Sequence, residues 1–143
     1  MSGKGLSIII AGLIALSALY VGYSRYTGER PPYTLSGNVE VTVIPDVSGK
    51  FRVSIGVSES FRERFEDFHL TIVAPNGEEV HSTSSSSPTL PFINGSYRME
   101  VSGVLIWRGE RYDYSAVSSL EILEVNGSFR VLMTSLKETY TKR

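Results

Sequence analysis

Residues 6–23 read LSIIIAGLIALSALYVGY, an uncharged apolar run directly behind a short basic start, MSGKG. As a helix rising about 1.5 Å per residue, such a run approaches the ~30 Å hydrocarbon core of a bilayer. In lipid a single segment can satisfy its own backbone only as a helix. Residues 6–24 are therefore expected to form a hydrophobic α-helix that spans a membrane or fills the core of a filament. The chain beyond it is polar, alternating and β-like, so a function has to use both parts.

Without that run about 110 residues are left, enough for one hydrophobic core. Lys and Arg number 14 against 15 Asp and Glu, a net charge of -1. This balance provides no basic stripe for nucleic acid. The absence of Cys excludes a disulfide framework, a thiolate zinc site and a Cys nucleophile. No cofactor, metal or small-molecule substrate is expected. His69 stands beside Glu66 and Asp67, but these positions straddle a helix end and a strand and need not converge. His81 is followed by the serines 84–87 without a nucleophile elbow or a Gly-rich oxyanion loop. The composition and motifs predict a non-enzymatic protein.

At the apolar run itself, a cleaved secretory signal fits poorly. The run exceeds the roughly 7–15 residues of such a signal and ends in Tyr20-Val21-Gly22-Tyr23 with no small-x-small site. Tyr20, Tyr23 and Tyr26 suit a membrane–water boundary, and Arg25 closes the span. Lys4 on one side and Arg25 and Arg30 on the other leave the orientation open. Ser7, Ala11 and Ala15 lie four residues apart, and Ala18 and Gly22 continue the stripe. Small residues at this spacing let helix backbones approach closely.

Thr27–Ser36 carries Pro31-Pro32, and residues 25–36 are read as an extended linker. From residue 37 to 143 the pattern is that of an antiparallel β-sandwich of about eight strands. Val39, Val41 and Val43 alternate with polar residues, Ser48-Gly49 turns the chain, and Phe51, Val53, Ile55 and Val57 repeat the pattern. Ser60 and Glu63 have the form of a capping box, which predicts helical turns over Phe61–Asp67 with Phe61, Phe65 and Phe68 on one face. Further strands are expected at Leu70–Ala74, around Val80, at Leu90–Ile93, from Tyr97 to Trp107 and at Tyr112–Val117. The hairpin Leu120–Val125, Asn126-Gly127, Phe129–Met133 is the clearest. Trp107 ends the most apolar run of this domain and is expected to be mostly buried.

The segments LTIVAPNGEEV and NGSYRMEV resemble immunoglobulin-like or fibronectin-like sandwich domains, a likeness that implies Tyr97 helps fix a corner of the core. Lys4-Gly5-Leu6-Ser7, followed at once by the apolar run, resembles the class III signal of archaeal type IV pilins. In that family the leader, here residues 1–5, is cut after the Gly. The resemblance implies that Lys4, Gly5 and Leu6 form the processing site and that Leu6 begins the mature chain. It also implies that the helix packs in a filament core, with the β domain outside.

Two readings of function follow. One is a cell-surface pilin-like subunit that polymerises with itself through the N-terminal helix. The other is a membrane-anchored accessory or binding domain, resembling archaellum stator-like proteins, whose partner is a surface-layer or membrane protein. Either places the domain outside the cytoplasm. Asn94-Gly95-Ser96 and Asn126-Gly127-Ser128 each match the N-glycosylation acceptor pattern, making Asn94 and Asn126 candidate modification sites. Each also supplies the Asn-Gly that a tight turn favours.

Overall fold

A computed structural model describes residues 8–9, 31–83 and 87–143. They form strands β1 (Ile8–Ile9), β2 (Val39–Pro45), β3 (Phe51–Val57), β4 (Phe65–Val73), β5 (Glu79–Ser82) and β6 (Thr89–Pro91). Three long strands follow, β7 (Gly95–Trp107), β8 (Glu110–Val125) and β9 (Ser128–Lys142), and one short helix, α1 (Glu59–Arg62), lies between β3 and β4. The protein is mainly β. All pairings are antiparallel, in one sheet ordered β1-β2-β3-β6 and a second ordered β5-β4-β7-β8-β9.

Alternation produces the shared core. Val39, Val41 and Val43 of β2 and Val53 and Ile55 of β3 are buried together with Leu70 and Ile72 of β4. Leu70 and Ile72, with Tyr97, Met99 and Val101 of β7 and Tyr114, Leu120 and Ile122 of β8, come from the other sheet. Burial of each such side chain contributes about 1.5–3 kcal/mol. Tight turns join the long strands. Asn126 and Gly127 have φ of 52° and 83°, and Arg108 and Gly109 have 55° and 76°. Positive φ at both central residues is what a two-residue type I′ hairpin requires.

Four local expectations change. Of the helix expected over residues 6–24, only Ile8 and Ile9 are described, and they form a strand opposite Val43 and Thr42. Two β-branched residues suit that geometry, and the outer side of β2 supplies backbone partners. Lys4, Gly5, Leu6, Ser7, Ala11, Ala15, Ala18 and Gly22 lie outside the described residues, as does the leader. Among the described residues no helix is long and apolar enough to cross a membrane.

The second change is at the expected helix 61–67. It is a single turn whose N-cap is Ser58, the serine oxygen accepting from Phe61 N–H. By Phe65 the chain is already in β4. Phe61, Phe65 and Phe68 do meet, with ring centroids 5.1 Å and 5.5 Å apart. The reason is a bulge between Glu66 and His69, where Asp67 has a φ of 53°. The extra residue shifts the two-residue period, so positions three apart face the same way. Third, the runs expected at Tyr112–Val117 and Leu120–Val125 are one continuous strand, and β9 runs to Lys142 rather than ending at Met133. Fourth, Trp107 is only partly buried at the end of β7, under the Arg108 guanidinium 4.4 Å from its ring centroid.

Gly103 sits opposite the bulge. A Cβ there would lie 3.0 Å from Phe65 Cδ2, 3.1 Å from the Asp67 carbonyl oxygen and 3.2 Å from that of Glu66. Two of these neighbours are backbone, so the clash is not relieved by a rotamer change. Gly103→Ala is expected to destabilise by about 1–3 kcal/mol. The check is the urea midpoint at unchanged m, with the exposed neighbour Ser102→Ala as a near-neutral control.

Candidate functional site

The two ends of the domain differ, and the residues that distinguish them come from distant parts of the chain. At one end the N-terminal segment joins the domain. Residues 31–36, the described part of the expected linker, are packed rather than extended into solvent. Leu35 is 0% exposed. A carboxylate on β9 holds the segment: Glu138 accepts from the Thr34 hydroxyl at 2.5 Å, the Leu35 N–H at 2.7 Å and the Tyr114 hydroxyl. Tyr140 donates to the Tyr33 carbonyl at 2.7 Å, and the Arg64 guanidinium lies 4.6 Å over the Tyr33 ring.

A second set of bonds ties this segment to α1. Asn38 Nδ2 donates to the Thr34 carbonyl, and Ser58 Oγ donates to Asn38 Oδ1, each at 2.7 Å. Behind them Tyr114 packs edge-on against Phe61, Phe65 and Tyr140. Charge-assisted bonds of this kind contribute more than neutral ones, and losing the common acceptor leaves several donors stranded at once. The geometry makes Tyr33–Leu35 part of the domain. The alternation of Leu136, Glu138 and Tyr140 along β9 is the signal that could have revealed this clasp.

The far end carries the β2–β3, β4–β5 and β8–β9 turns, while the Arg108-Gly109 turn lies at the clasp end. From Tyr114 at the clasp to Glu124 at this end is ten residue steps along β8, about 33 Å at the usual rise of a strand. Phe51, Phe92 and Phe129 close the space between the sheets, with ring centroids 5.0 Å and 5.2 Å apart. Tyr97 fixes a corner as expected: its hydroxyl accepts from Ile93 N–H at 2.9 Å and donates to the Pro91 carbonyl at 3.2 Å. Asn94 Oδ1 accepts from Glu124 N–H, and the Glu124 carboxylate accepts from Gly127 N–H, both at 2.7 Å. Asn94 and Asn126 are exposed and share this end.

Asp46 organises the β2–β3 turn. Its Oδ1 accepts from Ser48 Oγ, Ser48 N–H and Lys50 N–H at 2.7, 2.8 and 3.0 Å. The Ser48 hydroxyl bond leads in holding its carboxyl below the ordinary 3.8, helped by the backbone bonds and Arg52 and opposed by desolvation. The folded value is depressed, so the turn's contribution is full above the ordinary value and is lost as pH falls through the folded one. Acid titration followed by NMR should therefore move the Ser48 and Lys50 amides together, at a midpoint below 3.8. Asp46→Asn should abolish that step.

His81 is engaged in the outer face of the sheet, with Nδ1 2.9 Å from the Thr71 hydroxyl and Nε2 3.5 Å from Glu79. His69, Glu66 and Asp67 are not brought together around a common point. Among the described residues no group of three His, Cys, Asp or Glu side chains could hold a metal ion. Residues 84–86 of the serine run lie outside the described residues. Compared with protein families, with curated proteins and with solved structures, the chain matches none.

Proposed function

We propose that this protein is a non-enzymatic cell-surface structural subunit, pilin-like in layout, in which the apolar N-terminal run mediates self-assembly and the β domain is displayed. The observation that carries the reading is the clasp. Glu138, itself bonded by Tyr114, and Tyr140 grip residues 33–35 at one end of the domain, opposite the Asn126-Gly127 turn. Such a grip ties residues 33–35 to the domain, so the segment ahead of them starts from a fixed place on the fold. Of this run, Ile8 and Ile9 lie as β1 on the edge of β2. In lipid or in a filament core only a helix satisfies its backbone.

The displayed domain fits an immunoglobulin-like sandwich. The chain passes from β3 to β4 and β5 in the other sheet, returns for β6 and crosses back for β7. That exchange, together with a tyrosine whose hydroxyl bonds back to upstream backbone, supports the comparison. β9 would then be an addition beyond the common strand set.

Assembly through the small-residue stripe provides the test. Ala11→Leu or Ala15→Leu should remove filaments from the cell surface, seen by electron microscopy, while the domain melts as before. Unchanged filaments in both variants would contradict the stripe as the packing face. A surface carrying the protein but no filaments, in the native chain, would favour the membrane-anchored accessory domain.

A further inference from the structure

We infer that the end of the domain opposite the clasp is a glycan-bearing tip, with Asn94 and Asn126 both acting as N-linked acceptors. The inference rests on the proposed display outside the cell. The sequence pattern alone is ambiguous, because Asn-Gly is also what a turn prefers. The side-chain geometry separates the two roles. Asn94 uses only its Oδ1, as acceptor for Glu124 N–H. Among the described residues its Nδ2, the atom that would be modified, has no partner and the side chain is exposed.

Asn126 is needed in the turn for its backbone, at a φ of 52°, and its side chain is exposed. Ser96 and Ser128, the third residues of the two patterns, are exposed as well. In each pattern the turn's requirement is met by backbone or by Oδ1, and the reactive nitrogen is left to solvent. Glu124 ties the two sites into one surface by bonding Asn94 through its N–H and Gly127 through its carboxylate. Gly95 pairs with Ile122, so Asn94 and Asn126 are neighbours across β7 and β8, on the order of 10 Å apart at the usual strand spacings.

The reaction needs a lipid phosphate-linked oligosaccharide as donor. Asn Nδ2 forms a C–N bond to the anomeric carbon, and the C–O bond to phosphate breaks with its electron pair. The lipid phosphate leaves, and Nδ2 gives one proton to solvent. Attachment at Nδ2 leaves Oδ1 of Asn94 on Glu124 N–H, so the folded corner is compatible with the modified residue.

The experiment is mass spectrometry of peptides from the full-length protein taken from the surface of its own cells. Peptides containing Asn94 and Asn126 should each carry a saccharide mass increment. Ser96→Ala should erase the first and Ser128→Ala the second, and neither change touches the Asn94–Glu124 bond, so both variants should melt like the parent. A surface-located protein with either peptide bare overturns the inference. Filaments with bare tips would leave the proposed assembly standing, and glycosylated protein without filaments would do the reverse.

Discussion

Tyr97→Ala is expected to lower stability by about 3–5 kcal/mol, the usual range for removing a large ring from a packed core. Tyr97 is 0% exposed and joins the two sheets at the corner between β6 and β7. For a domain of this size such a loss lowers the Tm by more than about 10 °C. Tyr97→Phe separates ring from hydroxyl. It keeps the packing but leaves Ile93 N–H without the phenol oxygen, at a cost of about 1–3 kcal/mol. The phenol also gives a pH signature. Burial pushes it above the ordinary 10.0, more than the Ile93 bond lowers it, and Glu78 adds to the rise. The unfolded chain therefore ionises first, and stability falls as pH climbs past the ordinary value. The alkaline limb of the Tm-against-pH curve should be shallower in Tyr97→Phe than in the parent.

Leu35→Ala is expected to cost about 2–5 kcal/mol, although it lies in a stretch whose sequence reads as a linker. The side chain is fully buried, and its N–H donates to Glu138. Truncation makes the same point more strongly. A fragment from residue 31 keeps the Thr34, Leu35 and Tyr33 contacts and should melt cooperatively. A fragment from residue 37 loses Leu35 and leaves Glu138 and Tyr140 without the segment they hold. Its Tm should fall by more than that of Leu35→Ala. Equal melting of the two fragments, followed by circular dichroism, would mean that the clasp contributes nothing to the fold.

Much of the β architecture was legible because two-residue periodicity is a direct consequence of one buried face. Val39, Val41 and Val43 and the Phe51–Val57 run needed no further information, and Asn126-Gly127 announced its hairpin through the positive φ that Asn and Gly tolerate. The helix boundary was not legible. Phe61, Phe65 and Phe68 have helical spacing, but a bulge at Asp67 produces the same convergence from a strand. The far half of β9 was hidden because an inward position is occupied by a charged residue, Glu138, two of whose partners, Thr34 and Leu35, lie more than a hundred residues upstream. The same distance concealed the clasp. Pro31-Pro32 reads locally as an extended tether, and only the fold brings Leu35 into the core. The shared tip of Asn94 and Asn126 had no local signal either, since it depends on the register that pairs Gly95 with Ile122.

The intact mass of the protein from its own cell surface, measured on the same preparation that is imaged by electron microscopy, tests the central claim most directly. On the proposed pilin-like reading, removal of residues 1–5 would leave Leu6 at the amino terminus and keep a charged Lys4 out of an apolar helix bundle. The account expects a chain beginning at Leu6 and filaments on the surface. A chain still beginning at Met1 or Ser2, on a surface without filaments, would contradict it.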